Sequence, residues 1–369
     1  VEFAKYQGLG NDFVIMDGRS GPPMDPKATQ MRQLCDRRLG VGADGVILAL
    51  PPRQGGDLRM RIFNGDGSEP EMCGNGIRCL ARFVADQQQG ACPATLTIET
   101  VAGPMRTTLQ DQGQVTVDMG EPRLGPAAIP TTLGVDAQQV VAERLLVLGQ
   151  VWEVTAVSMG NPHVVIPVAD VDQVNLEQLG PALENHPAFP NRTNVHVLQA
   201  LSDQQLRLRT WERGVGLTMA CGTGACAALV AAHLMGLSQR KAQVNLPGGA
   251  LTIDWRDDNH VFMTGPAQRT FVGHVVLDHL QAAAATDISA NPPASPPDGA
   301  LGHQPTEEGA SAEAEAKAYA QAMSFLANTS LDEMLKLAAD SLAQRTQRRG
   351  GPPIPPPGEP VPDWDHRGH

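Results

Sequence analysis

Two cysteines carry the most specific chemistry this sequence can perform. Cys73 and Cys221 each stand directly before Gly-x-Gly, as Cys73-Gly74-Asn75-Gly76 and Cys221-Gly222-Thr223-Gly224. Each precedes a helix-forming run, so each thiol falls at a helix start, where unpartnered N–H groups and the positive end of the dipole gather. That placement favours a thiolate, and the glycines let a ligand come close to the backbone. Each segment therefore offers an acidified thiol beside an N–H cradle suited to a carboxylate. One such cysteine reads most simply as a buried structural residue; two at equivalent positions point to function. A facing pair can remove a proton from one side of a carbon and deliver one to the other, inverting it by acid–base chemistry without a cofactor. A carbon acid beside a carboxylate is very weak. Negative charge building on that carboxylate must be stabilised, and converging helix starts supply this.

The equivalence of the two cysteines is written along the chain. Gly10-Asn11 matches Gly160-Asn161, Asp44 to Leu48 matches Asn194 to Leu198, and Arg61 to Asn64 matches Arg209 to Glu212. The cysteine motifs match each other, Thr100 to Pro104 matches Asn245 to Gly249, and Val117 to Gly120 matches Phe262 to Gly265. The matches keep one order with offsets between 145 and 150 residues, which argues for duplication. Each copy must then position its cysteine in the same way.

Short β-type runs come first, at 13–16, 45–50 and 58–63, with counterparts at 156–167, 194–198 and 205–211. One good helix follows in each copy, over 74–87 and 222–237, and strands resume at 94–99, 105–109 and 114–118, and at 243–245, 250–254 and 261–264. The pattern predicts an α+β protein of two pseudo-symmetric halves, residues 1–117 and 118–279. Each is a rolled, mostly antiparallel sheet around a central helix, with a cleft between the halves.

The 369 residues are 41% hydrophobic, enough for a core, and carry a net charge of −12, which offers no basic face for nucleic acid. No apolar run is long enough to span a membrane. The start, with Glu2 and no apolar signal core, suggests a cytoplasmic protein. Six cysteines without a Cys-x-x-Cys spacing fit neither a disulfide scaffold nor a zinc ribbon, so no metal is expected. Cys79 and Cys226 read as core, and Cys35 and Cys92 belong to no motif. Composition changes near residue 280. Residues 280–369 hold 12 acidic and 6 basic side chains and two Pro-rich stretches. They read as a largely disordered tail with short helices at about 311–326 and after Ser330, where Ser330 and Glu333 form a capping box.

From Phe3 to about Leu277 the sequence resembles diaminopimelate epimerase. The motifs are Gly8-Leu9-Gly10-Asn11-Asp12-Phe13, Gly40-Val41-Gly42-Ala43-Asp44-Gly45, Phe63-Asn64-Gly65-Asp66-Gly67-Ser68 and Met72-Cys73-Gly74-Asn75-Gly76-Ile77-Arg78-Cys79. They continue with Met159-Gly160-Asn161-Pro162-His163, Asn191-Arg192-Thr193-Asn194, Arg209-Thr210-Trp211-Glu212-Arg213-Gly214 and Ala220-Cys221-Gly222-Thr223-Gly224-Ala225. The resemblance implies a cytoplasmic, homodimeric, pyridoxal-independent isomerase. It would interconvert LL- and meso-diaminopimelate in lysine and peptidoglycan precursor synthesis. It matches Cys73 and Cys221 to the acid–base pair, and Gly74, Asn75, Gly222 and Thr223 to groups holding the reacting carboxylate. Asn11, Asn64, Asn161, Asn194, Glu212 and Arg213 match groups that bind the substrate, chiefly its distal end, and His163 and Glu212 match residues that tune the cysteines. The residue types suit a zwitterion: Arg213 can fork onto a carboxylate and Glu212 can accept from an ammonium. Nothing is carried onto Gly45, where many family members have Gln. The tail has no counterpart in the family, and its partner is open.

Two other readings compete. One is a racemase of another amino acid on the same scaffold, although proline-type relatives generally have His where this chain has Asn75 and lack Glu212-Arg213. The other is a non-catalytic regulatory relative, against which the intact cysteine pair argues.

Overall fold

Runs of Val, Ile, Leu and Thr dominate the body of the chain and pair as strands, while the stretches after the two cysteine motifs become the long helices. A computed structural model describes residues 1–277, apart from residues 22, 71–72 and 89–91. The tail and the helices expected in it lie outside the described residues. The first half contains β1 (Glu2–Gly8), β2 (Asn11–Asp17), α1 (Ala28–Cys35), β3 (Gly45–Leu50), β4 (Leu58–Asn64), α2 (Gly74–Gln87), β5 (Thr95–Thr100), β6 (Gly103–Leu109) and β7 (Gln114–Asp118). The second contains β8 (Val140–Val147), β9 (Gln150–Ser158), β10 (Pro162–Pro167), α3 (Leu176–Glu184), β11 (Asn194–Ser202), β12 (Gln205–Glu212), β13 (Gly216–Thr218) and α4 (Gly222–Leu234). It closes with β14 (Lys241–Leu246), β15 (Gly249–Trp255), β16 (Val261–Pro266) and β17 (Gln268–His274).

All the strands join one hydrogen-bonded sheet with an internal two-fold logic. The pairing runs β1 to β7 in chain order, then β7 pairs antiparallel with β16, register Val117 to Met263. From β16 it continues through β15, β14, β12, β11, β10 and β9. The pairs β2–β3, β4–β5, β10–β11 and β12–β14 are parallel, two in each half, at the same places in the duplicated order. Helix α2 packs on β1 to β4, β6, β7 and β17, and α4 on β9 to β12 and β14 to β16. Each half of the sheet thus rolls around one helix. Helix α4 is apolar on every side, and Ala225 to Ala232 are fully buried, as a helix wrapped by sheet requires.

The structure departs from the expected division at one point. β17 pairs antiparallel with β1 of the first half, and β8 lies on β9 of the second. The strand after β7 therefore serves the second half, and the strand after β16 returns to the first. A cut at 117/118 does not separate two closed sheets. Three other differences have local causes. Gly160, at φ 96°, turns the chain, so the run expected over 156–167 is two antiparallel strands. Gly236, at φ 72°, ends α4 after Leu234 instead of at 237. Helix α3 was not foreseen because Gly180-Pro181 interrupts its pattern; Asn175 caps it by accepting from the Gln178 N–H.

This topology separates two truncations. A chain ending after residue 280 should keep its specific activity nearly unchanged, since every site residue matched by the resemblance lies between Asn11 and Thr223. A chain ending after Ala267 loses β17, leaves β1 paired only with β2, and removes the edge-on contact of Phe271 with Phe3. Its Tm should fall by on the order of 10 °C, measured by thermal melting.

Candidate active site

Cys73 is the N-cap of α2 and Cys221 the N-cap of α4, both with extended backbone. Each Sγ accepts the N–H three residues on, from Gly76 and from Gly224, at 3.4 Å. The two helix starts meet. A Cβ on Gly74 would lie 3.7 Å from Cα of Gly222, and one on Gly222 would lie 3.6 Å from Cα of Gly74. Each would also press on Met263, at 3.1 and 3.0 Å. Glycine at both positions therefore lets the two starts face each other with their first N–H groups unpartnered inside the helices. Together with Asn11, Asn161, Glu212 and Arg213 they line a cleft of about 460 Å³.

A helix start alone does not acidify these thiols. Burial pushes the Cys73 thiol up against the pull of the Gly76 N–H. Burial and then the Glu212 carboxylate push Cys221 well above the usual thiol range, while Thr223 and Gly224 pull it back. Cys73 is partly open to the cleft and Cys221 is buried. The Glu212 carboxyl is itself raised by burial; it accepts from Thr218 Oγ1 at 2.6 Å and faces Cys221. It is the group placed to exchange a proton with that thiol.

Two polar networks hold the walls. On the first half, Asn11 Nδ2 donates to Asp44 at 2.9 Å, and Asn11 Oδ1 accepts from Asn75 Nδ2 at 3.3 Å and from the Cys73 thiol at 3.8 Å. Asn75 Nδ2 also reaches Ala220 O at 3.3 Å, tying α2 to the residue before Cys221. Arg78 Nη2 donates to Asn75 Oδ1 at 2.9 Å and fixes which way that amide points. On the second half a relay runs inward from Asn161. His163 Nε2 lies 2.9 Å from Asn161 Oδ1, His163 Nδ1 lies 2.9 Å from His196 Nε2, and His196 Nδ1 lies 3.0 Å from Thr210 Oγ1. Asn161 Oδ1 can only accept, which fixes the rest of the chain. His163 carries its proton on Nε2, His196 carries its proton on Nε2 and donates to His163 Nδ1, and the Thr210 hydroxyl donates to His196. Burial keeps both rings neutral, His196 down to about 3 and His163 well below its ordinary value.

Of the residues singled out in the sequence, Cys73, Cys221, Asn11, Gly74, Asn75, Asn161, Glu212, Arg213, Gly222 and Thr223 line the cleft. Three do not. His163 is buried and bonds to Asn161 and His196, with no hydrogen bond to a thiol. Asn194 is buried, donating to Pro162 O at 2.8 Å and accepting from the Arg213 N–H at 3.0 Å, so it supports the wall. Asn64 is exposed and donates to Ser68 Oγ at 3.0 Å. His196, Thr210, Asp44, Thr218 and Arg78 were not foreseen as supports. The repeat holds a signal for two of them: His196 stands where the first copy has Val46, and Arg78 where the second has Cys226.

Comparison with known proteins shows the family of the chain. The family model described as diaminopimelate epimerase matches residues 3–125 and 155–270. A diaminopimelate epimerase of Synechocystis sp. is 54% identical over 278 residues, covering 75% of this chain and 99% of the relative. Diaminopimelate epimerase 1 of Nostoc sp. is 55% identical over 278 residues, covering 74% and 99%. Among solved structures, a probable proline racemase from Agrobacterium radiobacter superposes with a TM-score of 0.55 at 16% identity, over 75% of this chain and 93% of that one. A phenazine biosynthesis protein of the PhzF family from Bacillus anthracis gives 0.53 at 17%, over 75% and 99%; these two likenesses are of fold. Identity of 54–55% to these epimerases over 99% of their length marks the chain as an isomerase of the epimerase type. The chain belongs to the diaminopimelate epimerase family.

The buried histidine relay has a consequence for stability. Unfolded histidine takes up a proton near pH 6.5, whereas both folded rings stay neutral to lower pH, so protons favour the unfolded chain. Stability should be full above about pH 6.5 and fall as pH drops toward 4.5, by roughly 1.4 kcal/mol per unit for each ring. Urea unfolding across this range, in wild type and in His196→Asn, checks it: the variant should show the shallower slope.

Proposed function

We propose that this chain epimerises diaminopimelate, interconverting the LL and meso forms, with Cys73 and Cys221 as the acid–base pair and no cofactor. The observation that carries the reading is the pair of N-cap thiols on converging helix starts lining one cleft. One cysteine, as thiolate, takes the α-proton, and the C–H electron pair passes into the carboxylate as an enolate. The opposite thiol gives its proton to the other face of the carbon, so thiol and thiolate exchange places and configuration inverts. The first N–H groups of α2 and α4 stabilise charge on the carboxylate, where it is greatest in the transition state. Glu212 accepts the proton that Cys221 must give up to act as base. Asn11, Asn161, Glu212 and Arg213 hold the rest of the substrate. Asn64, exposed beside Ser68, completes the distal contacts, and Asn194 contributes from behind the wall by fixing the Arg213 backbone. His163 acts through Asn161.

The catalytic unit in this reading is residues 1–279, two halves divided near 117/118 with β17 exchanged, and residues 280–369 stand apart from the chemistry. The protein works as a cytoplasmic homodimer on a small amino-acid substrate and supplies lysine and peptidoglycan precursors. Among the described residues no helix is long and apolar enough to cross a membrane.

Exchange of the substrate α-hydrogen in deuterated water tests the reading, with diaminopimelate run against proline. Label should enter diaminopimelate; label entering proline alone would reject the assignment. Cys73→Ala and Cys221→Ala should each lower turnover by about 10³-fold or more while leaving circular dichroism unchanged, since each removes one proton-transfer group. Near-normal turnover in either would reject the two-base mechanism. Arg213→Ala removes a charge-assisted contact to the distal carboxylate and should raise KM for diaminopimelate about tenfold or more. A substrate lacking a second amino-acid end should be almost unaffected by that change.

A further inference from the structure

Arg78 is the largest fully buried side chain of the described residues, at 0% exposure, and no carboxylate there pairs with it. Its guanidinium is bound by neutral groups: Gly74 O at 3.2 Å, Asn75 Oδ1 at 2.9 Å, Pro266 O at 3.5 Å and Met263 Sδ at 3.5 Å. An arginine keeps its proton in such surroundings. A buried charge without a counter-ion strongly opposes folding unless something compensates for it. The fold nevertheless makes room for it. A Cβ on Gly8 of β1 would lie 3.3 Å from Nη2, and one on Gly265 of β16 would lie 3.2 Å from Nε. The equivalent position in the second half is Cys226, a small neutral core residue, so the duplicated architecture does not itself need a cation here.

The cation sits where the reaction would gather negative charge. Arg78 lies one turn into α2, bonded to the carbonyl of Gly74 and to the side chain of Asn75, two residues that line the cleft next to Cys73. We propose that Arg78 is the fixed counter-charge of the reaction site, a positioning residue that touches no substrate and stabilises the Cys73 thiolate and the enolate from behind α2. This deepens the two-thiol reading and rests on it. The ionisable groups around Cys73 are Arg78 and the Cys79 thiol from its own helix, Glu212 from β12, and the Cys221 thiol at the start of α4; Glu212 opposes ionisation of the Cys73 thiol and Arg78 favours it. Around Arg78 itself stand the thiols of Cys73, Cys79 and Cys226.

Two substitutions separate charge from hydrogen bonding. Arg78→Lys keeps the charge, and Arg78→Gln keeps a donor for Asn75 without charge. Arg78→Met serves as a neutral replacement that buries no unpaired polar group. Circular dichroism and thermal melting identify the folded variants. The readout is the pH dependence of Cys73 alkylation by iodoacetamide in the free full-length protein, with peptide mass mapping to distinguish Cys73 from Cys221. In the neutral variants the midpoint for Cys73 should move up by about one pH unit or more, with kcat falling at least about tenfold. Arg78→Lys should stay within about half that shift. A folded neutral variant whose Cys73 profile and kcat match wild type would overturn the proposal, as would Lys and Gln shifting the profile equally. Alkylation needs no substrate, so it reports on Arg78 even if diaminopimelate proves to be the wrong substrate.

Discussion

Two helix N-termini pointing at each other repel, because each carries partial positive charge. The rest of the molecule is arranged around holding them in that opposition. Gly74 and Gly222 remove the steric obstacle, with Met263 packed against both. The amide of Asn75 crosses from α2 to Ala220 O, linking one helix start to the approach of the other. A sheet continuous through β7 and β16 prevents the halves from separating, and β17, paired with β1 of the first half, adds a second connection. The outcome is a cleft floor that is positive by construction. An anion between the helix starts relieves the repulsion, so the strain of the fold and the affinity for a carboxylate have one origin.

Much of this was legible in the sequence because duplication writes a pattern twice. The cysteine motifs, the helix 74–87 and the rolled-sheet class followed from ordered offsets and from apolar runs of the right length. What escaped was of two kinds. β17 is recognisable as a strand only through its long-range partner, because no local signal says that residues 268–274 return to pair with residues 2–8. The behaviour of the thiols was misjudged for a different reason. The helix start pulls a thiol's pKa down, but burial pushes it up, and a sequence shows the first term and hides the second. The asparagines divide in the same way. Asn11 and Asn161 stand at the cleft, whereas Asn194, which like Asn11 opens a strand, has both amide ends committed to backbone groups.

The framework has two-fold symmetry, but its chemistry does not. Position by position, Asn75 faces Thr223, Arg78 faces Cys226, Asn64 faces Glu212, and Phe13 and Val46 face His163 and His196. Charged and titratable groups are thus dealt unequally to equivalent sites. The first half holds a buried cation behind an accessible thiol, and the second holds a carboxylate beside a buried one. A racemising pair could use identical surroundings, since the carbon between the thiols is attacked from both faces in turn. A molecule with a second amino-acid end breaks that equivalence, because its distal charges must always lie on the same side. Glu212 and Arg213, both at the end of β12, set a carboxylate and a guanidinium of the cleft side by side on the second half. The asymmetry of the side chains on a symmetric backbone is therefore what a two-ended substrate demands of a duplicated fold.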